Sequence, residues 1–171
     1  SAGAAAGRHS GIDVVAGSPR SRQASVALGL AAALAAAPQA DVVIVHDAAR
    51  ALAPPEVTQR VVAAVRAGHE AVVPALPVTD TVKEVEARPA GEPEPVVGTP
   101  QRARLRAVQT PQGFRTDTLV AAHRAGAERA GDEALAASDD AGLVEACGGS
   151  VVVVAGDVRA MKVTTPMDLA L

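Results

Sequence analysis

An α/β fold, with a mainly parallel sheet flanked by helices, is what this 171-residue sequence predicts, and three observations carry it. Val42–Val45 and residues 151–154 are runs of four branched apolar side chains bounded by polar ones, the pattern of strands buried on both faces. The first half of the chain alternates such short runs with helical patterns, in the order strand, helix, strand, helix, strand, which right-handed crossovers wind into a parallel sheet. Residues 79–86 then alternate apolar and polar side chains, 88–94 form a Pro/Gly turn and 95–99 return as a second extended piece. That break in the pattern predicts a two-stranded arm, over about residues 79–101, protruding from the domain.

Each element has its own local reason. Residues 12–15 read as a short apolar strand that Gly17-Ser18-Pro19 turns into a helix over 21–37. Arg22 and Ser25 fall in its first turn, where free backbone N–H groups favour an anion. Simple capping with a solvated arginine accounts for the same residues. The strand Val42–Val45 delivers His46, Asp47 and Arg50 at its carboxyl end, where open sheets of this class bind ligands. An acid able to hold a metal or a hydroxyl, followed by an arginine able to fork onto phosphate, suits a charged metabolite, although a strand edge with solvated charges reads equally well.

Pro54-Pro55-Glu56 opens a helix over about 54–67 whose apolar face is Val57, Val61, Val62 and Val65, and Gly68 ends it. A strand follows at 71–75, and another at 105–109. Thr110-Pro111-Gln112-Gly113-Phe114 reads as a loop, since Pro111 blocks helix until Thr116 opens one over about 116–130. Ser138-Asp139-Asp140 supplies an N-cap and acidic first turn for a helix over 139–146. After the strand at 151–154, Gly156-Asp157 turns away, and Thr165-Pro166 caps and starts a last helix.

With 49% apolar residues the chain buries one sizeable core, so residues 1–171 read as a single domain. A net charge of -3 and a single aromatic residue, Phe114, leave neither the basic footprint nor the stacking platforms of a nucleic-acid binder. The apolar run 26–37 falls short of the roughly 20 residues that span a bilayer, so no membrane segment is expected. Cys147, the only cysteine, excludes an internal disulfide, fits a reducing cytoplasm and reads as a packing residue. Of 16 basic residues only Lys83 and Lys162 are lysines, so a compact ammonium is kept at just two places.

Several words of the sequence, in order, resemble one family. His46-Asp47-Ala48-Ala49-Arg50 is similar to a segment of the 2-C-methyl-D-erythritol 4-phosphate cytidylyltransferases, which usually continue with proline where this chain has Ala51. Gly17, Arg22, Ser25 and Val26 are similar to that family's Gly-Gly-x-x-Arg-x-x-Ser-Val word, with Ala16 for one glycine and extra residues in the turn. Asp80-Thr81-Val82-Lys83, Thr110-Pro111-Gln112 and Ser138-Asp139-Asp140-Ala141 follow in the family's order, Ser138 replacing a threonine. The tail, from Lys162-Val163-Thr164-Thr165-Pro166 to Asp168-Leu169, matches a Lys-Val/Ile-Thr-x-Pro-x-Asp-Leu word and is the most specific of these.

The resemblance covers essentially the whole chain and implies a Rossmann-like nucleotidyltransferase fold. It implies transfer of a cytidylyl group from CTP to 2-C-methyl-D-erythritol 4-phosphate, releasing pyrophosphate, in the non-mevalonate route to isoprenoids. Catalytic roles fall on Lys162 and Arg102; substrate contacts fall on Asp47, Arg50, Thr81, Thr110 and Ser138. Nucleotide contacts fall on Gly17, Arg22, Ser25, Asp47 and Lys162, with Asp47 beside Mg²⁺. The arm is implied to make a cytoplasmic homodimer, with Thr81, Arg102 and Thr110 donated to the phosphate site across it. Arg104 and Arg106 compete with Arg102, whose selection rests on its alignment to the Thr110-Pro111-Gln112 word.

The family's opening strand and glycine-rich phosphate loop have no convincing match in residues 1–11, and the small, Gly/Ala-rich stretch 1–7 reads as a disordered lead-in. The domain therefore reads as incomplete at its amino end, and the chain by itself is expected to be inactive or very weak. Two rival readings are a cytidylyltransferase for another polyol phosphate, such as ribitol 5-phosphate, and a non-catalytic binding or dimerisation module on the same scaffold.

Overall fold

The computed structural model describes residues 12–131 and 137–170, so the lead-in at 1–7 lies outside the described residues, as does part of the loop before the 139–146 helix. Helix α1 (Arg22–Ala36) starts where Ser21 accepts the Ala24 N–H, and α2 (Pro55–Arg66) starts on a proline whose missing N–H costs nothing there. Gly68, at φ 110°, ends the second, a conformation that a Cβ would strain. Strand β1 (Val42–Val45) lies between these helices in the chain and β2 (Ala71–Pro77) follows them.

One sheet holds β1, β2, β5 (Arg106–Val108), β6 (Gln112–Arg115) and β7 (Val151–Ala155). Strand β6 pairs antiparallel with β1 and with the start of β2, β5 pairs antiparallel with the end of β2, and β7 pairs parallel with β2. Strands β1, β2 and β7 thus share one direction, as the strand-helix alternation predicts. They are not consecutive neighbours, however, because β6 lies between β1 and β2. The 110–114 stretch, expected to be loop, supplies the start of this inserted strand.

Side-chain alternation makes two cores, one on each face. Val42, Ile44, Val72, Val152 and Val154 meet Val61 and Val65 of α2. On the other face Val43, Val45, Ala71, Val73 and Phe114 meet Leu30 of α1, Leu119 of α3 (Thr116–Ala125), and Leu143 and Val144 of α4 (Asp140–Ala146). Fully burying one such valine or leucine is worth about 1.5–3 kcal/mol, so the two faces hold the layers together. Gly113 permits the close approach of α2, since a Cβ there would overlap Val61 Cγ1 and lie 3.2 Å from both Ile44 Cδ1 and Val65 Cγ2.

Several expectations are corrected. Residues 12–15 are exposed and form no strand beyond an isolated bridge at Ile12. Strands β1 and β7 are half-buried rather than covered on all sides, with Val153 51% exposed, because each has only one neighbour among the described residues. Helix α3 stops at Ala125, short of 130; Asp139, not Ser138, caps α4, accepting the Gly142 N–H at 2.9 Å. Cys147 is exposed rather than packed. The arm exists as a short hairpin of β3 (Glu84–Val85) and β4 (Val96–Gly98), and the tail helix α5 (Pro166–Ala170) begins on Pro166 as expected.

Candidate active site

The carboxyl end of β1 releases the chain at His46, and Asp47 is held there by its backbone. Its N–H donates to Thr110 Oγ1 at 3.0 Å, and that oxygen lies 2.9 Å from His46 Nδ1. Thr110 Oγ1 accepts from Asp47 and can also donate to or accept from His46 Nδ1, according to the tautomer of the ring. Thr110 is buried, so its hydroxyl is engaged in positioning Asp47. The next turn is closed by the Arg50 N–H on the Asp47 carbonyl.

Two further bonds bring the tail to this turn. Arg50 Nη1 donates to the Ala160 carbonyl at 2.7 Å, and the Val163 N–H donates to the Ala49 carbonyl at 2.8 Å. Lys162, held between those anchors, places its Nζ 3.4 Å from Asp47 Oδ2. Arg50 Nε stands 3.8 Å from the same oxygen, and Arg22 Nη2 stands 4.0 Å from Oδ1. These separations exceed the 2.7–2.9 Å typical of a charge-assisted hydrogen bond, so the three cations surround the carboxylate without clamping it. Arg50 Nε is moreover buried and, among the described residues, has no hydrogen-bond partner. The arrangement can receive a polyanion: it presents converging positive charge at the end of a sheet, half-open to solvent.

Arg22 has a firmer anchor behind it. Its Nη2 donates to Asp140 Oδ2 at 2.9 Å, and the other oxygen of Asp140 lies 2.9 Å from His123 Nε2. Asp140 is completely buried. Burial pushes its pKa up, but the hydrogen bond from His123 and the charge and hydrogen bond of Arg22 outweigh this and hold it below the ordinary carboxylate value. Asp140 is therefore an ionised acceptor that receives both donors. Gln112 of β6 steadies the same corner by donating to Asp139 Oδ2 at 2.8 Å.

Asp47, Arg50, Lys162 and Arg22 are thus brought together, as the sequence reading requires. Gly17 is exposed on the turn before α1, where Ser25 is occupied: its Oγ accepts the Ser18 N–H at 3.0 Å and donates back to the backbone. Ser138 is exposed just before α4. Thr81 is exposed on the arm, and Arg102 at the arm's base donates to the Thr79 carbonyl at 2.6 Å. Among the described residues, neither makes a hydrogen bond or ion pair with the Asp47 group. His123 and the inward role of Asp140 are additions that sequence reasoning missed. The available signal was that His123 shares the buried face of α3 with Leu119 and Ala122, at helical spacing. A cavity of about 570 Å³ opens at the other end of β1, but its Arg115 is neutralised by Asp117 at 2.7 Å on an exposed wall.

The chain has clear relatives among known proteins. The family profile described as IspD, 2-C-methyl-D-erythritol 4-phosphate cytidylyltransferase, matches residues 3–171. A protein of that name from Streptomyces avermitilis is 57% identical over 152 residues, covering 88% of this chain and 57% of the relative. One from Nocardia farcinica is 58% identical over 140 residues, covering 82% and 55%. The chain therefore spans a little over half the length of these curated relatives. The crystal structure of 2-C-methyl-D-erythritol 4-phosphate cytidylyltransferase from Thermus thermophilus superposes with a TM-score of 0.72 at 40% identity, over 91% of this chain and 68% of that one. By sequence and by fold, this chain belongs to the 2-C-methyl-D-erythritol 4-phosphate cytidylyltransferase family.

Proposed function

We propose that the protein carrying this chain transfers a cytidylyl group from CTP to 2-C-methyl-D-erythritol 4-phosphate. A phosphate oxygen of the acceptor bonds to the α-phosphorus of CTP, the bond to the bridging oxygen breaks, and pyrophosphate leaves. The observation that carries the reading is the approach of Lys162 Nζ to 3.4 Å from Asp47 Oδ2, with Arg50 and Arg22 alongside. Such a reaction rests on in-line positioning and on neutralising charge as it builds on the phosphoryl oxygens. Lys162, half-exposed at the mouth of the group, supplies a mobile ammonium for that charge. Arg50 and Arg22, more buried, supply fixed positive potential.

Mg²⁺ belongs to the same proposal. Among the described residues no group of three or more His, Cys, Asp or Glu side chains could hold a metal unaided. Asp47 offers one carboxylate that its neighbours do not clamp, and this donor set fits an ion that brings most of its ligands with it on a triphosphate. Bound there, Mg²⁺ would gather phosphate oxygens and offset their charge. The arm supports a homodimer: Val85, Val96 and Val97 are exposed on a hairpin too short to be stable alone, and a second copy would cover them. Thr81 and Arg102 would then serve the neighbouring site. A cytoplasmic location completes the reading; no helix among the described residues is long and apolar enough to cross a membrane.

Pyrophosphate release with CTP, Mg²⁺ and 2-C-methyl-D-erythritol 4-phosphate tests this, on the gene product that carries the chain and on the 171-residue chain alone. Turnover is expected from the gene product. Lys162→Gln should lower kcat/KM by about 10²–10³-fold, the scale for removing one transition-state charge partner, while leaving Tm unchanged. Ribitol 5-phosphate as competing acceptor separates the rival polyol. No turnover by the intact gene product, or full activity in Lys162→Gln, overturns the proposal.

A further inference from the structure

We propose that His123 is a positioning residue for the nucleotide site, acting through Asp140 to fix the guanidinium of Arg22. This rests on the reading of Arg22 as a nucleotide contact. Three features support it. First, the contacts form an unbroken series, from His123 Nε2 to Asp140 Oδ1 at 2.9 Å, from Asp140 Oδ2 to Arg22 Nη2 at 2.9 Å, and from Arg22 Nη2 to Asp47 Oδ1 at 4.0 Å. Second, the inner members are the least exposed: the side chain of Asp140 is 0% exposed and that of His123 6%, while that of Arg22 is 32% exposed. Asp140 is out of reach of solvent, His123 shows only its edge to the groove between α1 and α3, away from Asp47, and of the three only Arg22 approaches Asp47.

Third, the geometry leaves Asp140 one orientation. A carboxylate accepting from two donors on opposite oxygens cannot rotate without losing one of them. His123 is carried by α3, Asp140 by α4 and Arg22 by α1, so three helices meet at one buried acceptor. If His123 is removed, Asp140 stays charged and buried but can turn toward Arg22 alone, drawing the guanidinium inward and away from Asp47. The side chain of His123 thereby sets how far Arg22 extends toward the triphosphate, although it touches no substrate.

The test uses His123→Leu, which removes the donor, and His123→Gln, whose amide Nε2 can replace the imidazole Nε2. In the intact gene product, His123→Leu should raise KM for CTP about tenfold, the scale of one hydrogen bond to a charged group, with KM for the acceptor within about twofold of wild type. His123→Gln should restore most of the loss. In an Arg22→Ala background, His123→Leu should add less than about a twofold change, because the relay then has no outer member. Arg22 side-chain NMR gives a readout independent of turnover: separate, slowly exchanging Nη–H signals are expected in wild type and His123→Gln, and collapsed signals in His123→Leu. Signals unaffected by His123→Leu, or an equal KM penalty with and without Arg22, overturn the relay. Absence of turnover in wild type, with the NMR pattern as expected, would instead count against the cytidylyltransferase reading and leave the relay standing.

Discussion

Replacing Asp140 by asparagine isolates a fully buried charge whose partners are both defined. The substitution keeps the shape of the side chain but removes its charge. An amide offers one acceptor oxygen, so with Arg22 on that oxygen its NH₂ faces His123, which can accept only by giving up the Nε2 proton, and the Arg22 charge is left without its buried counter-charge. Breaking one member out of a buried ionic network costs about 3–5 kcal/mol. At about 2–4 °C per kcal/mol for a chain of this size, Tm should fall by roughly 6–20 °C at neutral pH. The pH dependence follows from the direction of the shift. Asp140 is held below its ordinary value of 3.8, so the folded state binds its proton less readily than the unfolded state. Its contribution is complete above that unfolded value and disappears as pH falls through the lower folded one. Calorimetric melts of wild type and Asp140→Asn between neutral pH and about pH 3 should therefore show a gap that is constant at first and narrows only below about 3.8. A gap under about 1 kcal/mol at pH 7, smaller than a single charged hydrogen bond, would refute the reasoning. So would a gap that stays the same through the acid range.

Two other substitutions probe separate parts of the fold. Gly113→Ala puts a methyl group into Val61, Ile44 and Val65, and should cost about 1–3 kcal/mol in urea unfolding as α2 is pushed off the sheet. An unchanged midpoint would mean that the helix shifts freely. Thr110→Val removes the acceptor of the Asp47 N–H and should cost about 1–3 kcal/mol as well as most of the activity, whereas Thr110→Ser should retain both. Equal behaviour of Val and Ser at this position would show that the hydroxyl does not hold Asp47.

The helices legible in the sequence are those whose ends are set locally. Ser21 caps α1, Pro55 starts α2 and Gly68 stops it, each through chemistry confined to a few neighbouring residues. Strand β6 is not legible because nothing within Gln112-Gly113-Phe114-Arg115 specifies extended backbone. Its partners do: α2 closes over Gly113, the core takes Phe114, and Gln112 is tied to Asp139. The exposed segment 12–15 errs in the opposite direction, since an apolar pattern alone does not make a strand without a neighbour to pair with. In the site, the pairing of Asp47 with Lys162 is reached through a resemblance rather than through spacing, because backbone bonds at Ala49 and Ala160 bring the tail there. The resemblance turns Thr110 and Ser25 toward a ligand, yet their hydroxyls are spent inside the chain. His123 belongs to no motif at all, and only its place on the inner side of a helix could have marked it.

The insertion of β6 between β1 and β2 governs the order in which the chain can assemble. During synthesis, β1, α2 and β2 emerge together, yet the two strands share no ladder and lack the strand that joins them until the polypeptide has been extended through Arg115. The ribosome must therefore release a long stretch, arm included, before the middle of the sheet can zip. Contacts of such high sequence separation slow the search for the native state and leave valine-rich edges open to wrong partners meanwhile.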